Sequence, residues 1–116
     1  MKVAVIGSRG LYIANLDKYL PPETTEIISG GAQGIDTCAR VYAQLHGLKL
    51  TELLPDYAKY GRAAPLVRSR AIVEAADRVL AIWDGQSRGT GYAIGYAGKR
   101  GKQMEILFAA DLDRRT

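Results

Sequence analysis

Three short stretches concentrate glycine, hydroxyl and arginine side chains. They are Gly7-Ser8-Arg9-Gly10, Ser29-Gly30-Gly31-Ala32-Gln33-Gly34 and Asp84-Gly85-Gln86-Ser87-Arg88-Gly89-Thr90. Glycine lets backbone amides approach a ligand closely, a hydroxyl donates to an oxygen, and arginine offers a forked, permanently charged set of donors. These are the parts of an anion site, above all where a loop runs into the N-terminus of a helix. A single glycine turn between strand and helix is often only a turn. Three of them, two carrying arginine, point to a phosphate group.

Within these loops, Arg9 and Arg88 stand where packing needs no long side chain. A charge-assisted bond to phosphate is one use for them and a surface ion pair is the other, and for Arg88 both stay open. Ser8, Ser87 and Thr90 can cap helices or bind phosphate oxygens, and one hydroxyl can do both. Asp36, in the first turn of the helix after the second loop, fits either a favourable pairing with the helix dipole or a bond from a ribose hydroxyl. Its carboxylate would repel a phosphate. Arg68 and Arg70 open a later helix; residues two apart do not share a face, so only one is expected in the crevice. Tyr57, Tyr60 and Gly61 read equally as an aromatic wall for a base or as packing. His46 is expected to pair with a helix C-terminus, and Cys38 to be buried and inert.

The elements that must carry these loops follow from periodicity. Lys2–Ile6 reads as a buried strand, and Ile13, Leu16 and Leu20 follow helical spacing up to Pro21-Pro22. Thr24–Ile28 is a second strand; Ile35, Cys38, Ala39 and Tyr42 mark a helix that Gly47 closes. Leu48–Leu54 is a third strand ended by Pro55, and 56–61 reads as a loop. A helix from Pro65 to Ala76, a strand at Arg78–Trp83, a glycine-weakened helix at Thr90–Arg100 and a strand at Gln103–Phe108 complete the pattern. Strands alternating with helices predict an α/β fold: a doubly wound, Rossmann-like five-stranded parallel sheet in the order 3-2-1-4-5, with helices on both faces. All three glycine loops then follow carboxyl ends of strands and surround one crevice beside the switch point.

The 116 residues suit a single domain, read here as residues 1–110 with a charged tail at 111–116. With 47% hydrophobic and 24% charged residues the composition is that of an ordinary soluble chain. One cysteine excludes a disulfide framework within the chain and fits a cytoplasmic setting. The apolar start MKVAVIG is too short for a signal or membrane segment, so no membrane partner is expected. The net charge of +4 favours anionic partners only weakly. Much of the excess is Arg114 and Arg115 in the tail and Lys99, Arg100 and Lys102 near a helix end, where solvation and dipole pairing account for it.

GSRG, SGGAQGID and the long stretch DYAKYGRAAPLVRSRAIVEAADRVLAIWDGQSRGT, with the spacing between them, resemble the SLOG superfamily. That superfamily includes the Lonely Guy phosphoribohydrolases and the DNA-processing protein DprA. The resemblance runs from Met1 to about Phe108 and is nearest to the small YspA and cpYpsA-related branch. It implies a Rossmann-like fold holding a nucleotide or nucleotide derivative in the crevice, with no obligatory cofactor and no metal. Gly91, Gly95 and Gly98 on the last helix allow either close packing onto the sheet or close approach of a second protomer; the resemblance implies the second, a homodimer with Tyr92 and Tyr96 near the seam. Lonely Guy enzymes carry a PGGxGTxxE motif whose glutamate is catalytic. Gly89-Thr90 matches the GT, but the glutamate position is Ala93, while Arg68 matches the other key arginine. Hydrolysis is therefore expected to be weak or absent, with Asp84 the reserve catalytic candidate.

The expected function is binding or sensing of a nucleotide-like small molecule. The expected ligand residues are Gly7, Ser8, Arg9, Ser29, Gly30, Gly31, Gly34, Asp36, Arg68, Arg70, Asp84, Ser87, Arg88, Gly89 and Thr90. The first alternative is an enzyme acting at the glycosidic carbon of a nucleoside monophosphate, which needs a carboxylate there. The second is a single-stranded nucleic-acid binder, disfavoured by the scattered basic residues.

Overall fold

Apolar runs form the inner strands of one parallel sheet and more mixed sequences its edges: β1 (Lys2–Gly7), β2 (Glu26–Ser29), β3 (Lys49–Glu52), β4 (Arg78–Trp83) and β5 (Gln103–Phe108). The structure, a computed structural model, describes residues 1–109; the charged tail expected at 111–116 lies outside them. The sheet order is β3-β2-β1-β4-β5, with every neighbouring pair parallel. The doubly wound order expected from the sequence is therefore the observed one. Four helices accompany the sheet: α1 (Ile35–Leu45), α2 (Tyr57–Tyr60), α3 (Ala64–Ala75) and α4 (Arg88–Lys99).

Alternation along β1 and β4 divides the core into two layers. On one face Val3, Val5, Leu80 and Ile82 meet Ile35, Ala39 and Ala43 of α1, together with Leu16 and Leu20. On the other, Ala4, Ile6, Val79 and Ala81 meet Ile72 and Val73 of α3 and Ala93 and Ala97 of α4. A Cβ on Gly7 would collide with the Ile35 side chain, so glycine at the end of β1 lets α1 seat directly on the sheet.

The structure corrects three expectations. The stretch around Ile13, Leu16 and Leu20 is not a helix; only a single 3-10 turn forms, at Leu16–Lys18, after Asn15 in a non-helical conformation. Leu16 and Leu20 are buried, and the irregular chain delivers them to the core without a continuous helix. A segment this short has little helical stability of its own, so packing decides its backbone. The expected loop at 56–61 holds the one-turn helix α2, where Asp56 Oδ1 accepts from the Lys59 amide at 3.1 Å, and a 3-10 turn at Gly61–Ala63. Helix α4 begins at Arg88, two residues before Thr90.

The glycines of α4 also separate. Ala93 and Ala97 face the sheet, and a Cβ on Gly91 would stand 3.1 Å from Trp83 Cζ2. Gly95 and Gly98 are exposed, with open space where a Cβ would go. Among the described residues no helix is long and apolar enough to cross a membrane.

Candidate functional site

The carboxyl ends of β1, β2 and β4 open into a cavity of about 440 Å³, a size usual for small-molecule sites. Its walls come from the loop after β1, the loop after β2, α3, and the loop and first turn of α4.

The first and third loops are joined by hydroxyls. The Ser8 amide donates to Ile82 O at 3.1 Å, extending the β1–β4 pairing by one residue. Ser8 is 2% exposed; its Oγ lies 2.7 Å from Ser87 Oγ and accepts from the Asp84 amide at 3.2 Å. Asp84 Oδ1 accepts from the Gln86 and Ser87 amides, both at 2.8 Å. The Ser87 and then the Gln86 amide hold the Asp84 carboxyl below its ordinary range, so it is ionised at neutral pH. The Trp83 indole Nε1 donates to Ser87 O at 3.0 Å, bracing the same loop from beneath.

Ser87 is the N-cap residue of α4, yet its side chain makes no capping bond, since its hydroxyl is directed at Ser8. The first intrahelical donor is the Gly91 amide, bonded to Ser87 O at 3.1 Å. The amides of Arg88, Gly89 and Thr90 thus head the helix without an intrahelical acceptor, at the positive end of its dipole. Gly89 and Thr90 line the cavity. Thr90 is 7% exposed, and among the described residues its hydroxyl has no hydrogen-bond partner. A hydroxyl that opens into a cavity and has no internal partner bonds to whatever fills the cavity.

The second loop brings a guanidinium and a carboxylate together. Gly34, at φ +72°, lies against the Ser8 and Arg9 carbonyls, leaving no room for a side chain. A Cβ on Gly30 would stand 2.5 Å from Arg68 Nη1 and 3.1 Å from Asp36 Oδ2. Arg68 Nη1 donates to Gly30 O at 2.8 Å, and Asp36 Oδ2 accepts from the Ala32 amide at 3.1 Å. Asp36 is buried, and burial raises its pKa above the ordinary aspartate value; the Ala32 amide, the Arg68 charge, the Gly30 amide and the Ser29 hydroxyl oppose the rise.

Of the residues expected at the site, the structure brings Gly7, Ser8, Arg9, Gly30, Asp36, Arg68, Asp84, Ser87, Gly89 and Thr90 to the cavity wall. Ser29, Gly31 and Gly34 shape the second loop without lining the cavity, and Arg88 is exposed outside it. Of the arginine pair, Arg68 lines the cavity. Arg70 points elsewhere: its Nε donates to Tyr92 Oη at 2.6 Å, and its guanidinium lies 5.8 Å and 5.9 Å from the Tyr92 and Tyr96 ring centroids. Tyr57 and Tyr60 are exposed and do not line the cavity. The wall they were candidates for is aliphatic instead: Pro65, Leu66 and Ile72 of α3 with Ala93 of α4, joined by Ser69. Pro65, Arg68, Ser69 and Ile72 recur at three- and four-residue steps, so the helical face carrying Arg68 was the signal for them. His46 stacks on Tyr42, with centroids 4.1 Å apart. Cys38 is half-buried, its Sγ accepting from the Ile13 amide at 3.4 Å. No group of three His, Cys, Asp or Glu among the described residues is placed to hold a metal ion.

The arrangement has amides, hydroxyls and the Asp84 carboxylate at one end, the Asp36 carboxylate and Arg68 guanidinium at the other, and aliphatic side chains between. Comparison with family models, with curated proteins and with solved structures gave no match.

Proposed function

We propose that this protein binds a nucleotide or nucleotide-derived small molecule, as the resemblance to the SLOG superfamily implies, and that a phosphate group sits at the N-terminus of α4. The observation that carries the reading is the unpartnered Thr90 hydroxyl, open to the cavity beside the open amides of the first turn. Arg9, which lines the same cavity and makes no ion pair among the described residues, supplies the compensating charge. Titration of the 15N-labelled protein with AMP tests this: the Gly89 and Thr90 amide resonances should move together and saturate. Saturating shifts confined to another part of the protein would sink the assignment.

The site favours holding a ligand over cleaving it. Ala93 stands where Lonely Guy enzymes carry their glutamate, and it lines the cavity with only a methyl group. Asp84, the reserve candidate, is kept ionised by two amides and has no proton to give a leaving base at neutral pH. Release of free base from nucleoside monophosphates should therefore be at background level. For assembly, we propose a two-fold dimer across the open backbone at Gly95 and Gly98 of α4. Tyr92 and Tyr96 are engaged with Arg70 and Glu74 of α3, so they would border such a seam as part of a fixed surface.

A further inference from the structure

The cavity is chemically polarised, and its two ends lie on different strands. The donor end follows β4, whereas Asp36 and Arg68 meet at Gly30, just beyond β2. β1 lies between these strands, so two strand spacings, roughly 10 Å, separate the ends. A sugar phosphate with a hydrogen bond at either end spans such a gap. Asp36 is buried yet lines the cavity, so that end offers a hydrogen-bond acceptor. The Ala32 amide holds it in place, leaving acceptor capacity on a group with about four lone-pair directions. Arg68 commits Nη1 to Gly30 O and is not within ion-pairing distance of Asp36, so guanidinium donors remain for a ligand. A fixed acceptor beside a fixed donor suits two neighbouring hydroxyls: one donates to the carboxylate while the next accepts from the guanidinium.

Resting on the phosphate assignment above, we propose that Asp36 and Arg68 form a sugar-reading subsite that recognises the vicinal hydroxyls of a ribose, so that the protein selects ribonucleotides over 2′-deoxyribonucleotides. The shape of the α3 wall leaves the base in aliphatic surroundings, and discrimination lies in the sugar.

Calorimetric titration with AMP, GMP, CMP and UMP, with their 2′-deoxy counterparts and with inorganic phosphate, tests this. For any base that binds, the ribonucleotide should bind about tenfold or more tightly than its 2′-deoxy form, the usual effect of one hydrogen bond to a charged group. Asp36→Asn and, separately, Arg68→Gln should erase that ratio while each variant still binds inorganic phosphate, which also shows that it is folded; a ratio that persists in both variants overturns the ribose assignment. Equal affinity for the two sugar series in the unmodified protein overturns the ribose assignment and leaves the phosphate site standing. Failure of every nucleotide and of phosphate to bind overturns both.

Discussion

At the scale of single residues, the site is built from polar groups whose hydrogen bonds are either fully committed or left open. Ser8 and Asp84 are committed, and they hold two loops in register. Thr90 is open. Replacing it with valine keeps the shape and removes a hydroxyl that has no partner inside the protein, so stability should change by no more than about 0.5 kcal/mol. Phosphate affinity should fall about tenfold for the loss of one bond to a charged oxygen. Thermal melts with and without AMP separate the two effects: a large drop in the ligand-free melting temperature would assign Thr90 to the core instead. The two aspartates make a second test. Burial raises the Asp36 pKa, whereas the Ser87 and Gln86 amides lower that of Asp84. For Asp36 the folded state binds the proton more tightly than the unfolded chain, so its contribution is lost as pH rises through the folded value. For Asp84 the sign is opposite: its contribution is present above the ordinary value and lost as pH falls through the depressed one. The stability of Asp36→Asn relative to the parent should therefore improve as pH rises above the ordinary aspartate range and level off at neutral pH. Asp84→Ala should lose most at neutral pH and least in strong acid. Urea unfolding across that range reads both slopes, and a pH-independent difference for either variant contradicts its assignment.

At the scale of elements, α4 shows one residue type serving different ends. Gly91 gives the Trp83 ring its place, while Gly95 and Gly98 touch nothing. Within a single protomer, at concentrations too low for assembly, Gly95→Ala should therefore raise stability by about 0.5–1 kcal/mol, the ordinary difference between these residues in an exposed helix. Gly91→Ala should show no such gain, because its methyl presses on Trp83 at 3.1 Å. Light scattering on Gly95→Leu tests the proposed dimer as well: a mass that halves relative to the parent supports it, and a parent protein that is already monomeric removes it. The strands were legible in the sequence because buried parallel strands read as unbroken apolar runs, and the glycine loops because they interrupt those runs at strand ends. The segment around Leu16 was not, since two leucines four residues apart look the same whether a helix or an irregular chain delivers them. The aliphatic wall at Pro65, Leu66 and Ile72 was missed for a different reason: attention went to charged residues, and helical periodicity carried forward from Arg68 would have found most of it. That only Arg68 of the arginine pair meets the cavity follows from the 200° that two helical steps put between them. Where the partner of Arg70 lies, on Tyr92 of the next helix, is a tertiary fact with no local trace.

At the scale of the whole molecule, the basic residues are scattered over separate elements, and several are engaged within the protein. Arg40 pairs with Glu52 at 2.9 Å, Arg100 with Glu74 at 2.7 Å, and Lys102 Nζ donates to Ala76 O at 2.7 Å. A surface that tracks a nucleic-acid backbone needs rows of uncommitted cations, because affinity comes from releasing counterions at each phosphate contact. Single-stranded DNA should accordingly give no mobility shift at sub-micromolar protein and physiological salt; a tight complex with a steep salt dependence would move the nucleic-acid reading to first place. The bracing of the α4 loop by Trp83 has a practical consequence. This is the only tryptophan in the chain, and its indole nitrogen is bonded to the carbonyl that starts the helix facing the proposed phosphate. Its emission wavelength depends on the charge and water around that ring, so the protein carries an unlabelled optical gauge fastened to the mouth of its own site. Occupancy of the proposed phosphate site should accordingly be readable as a shift in emission colour, in dilute solution and in real time, before the ligand has been identified.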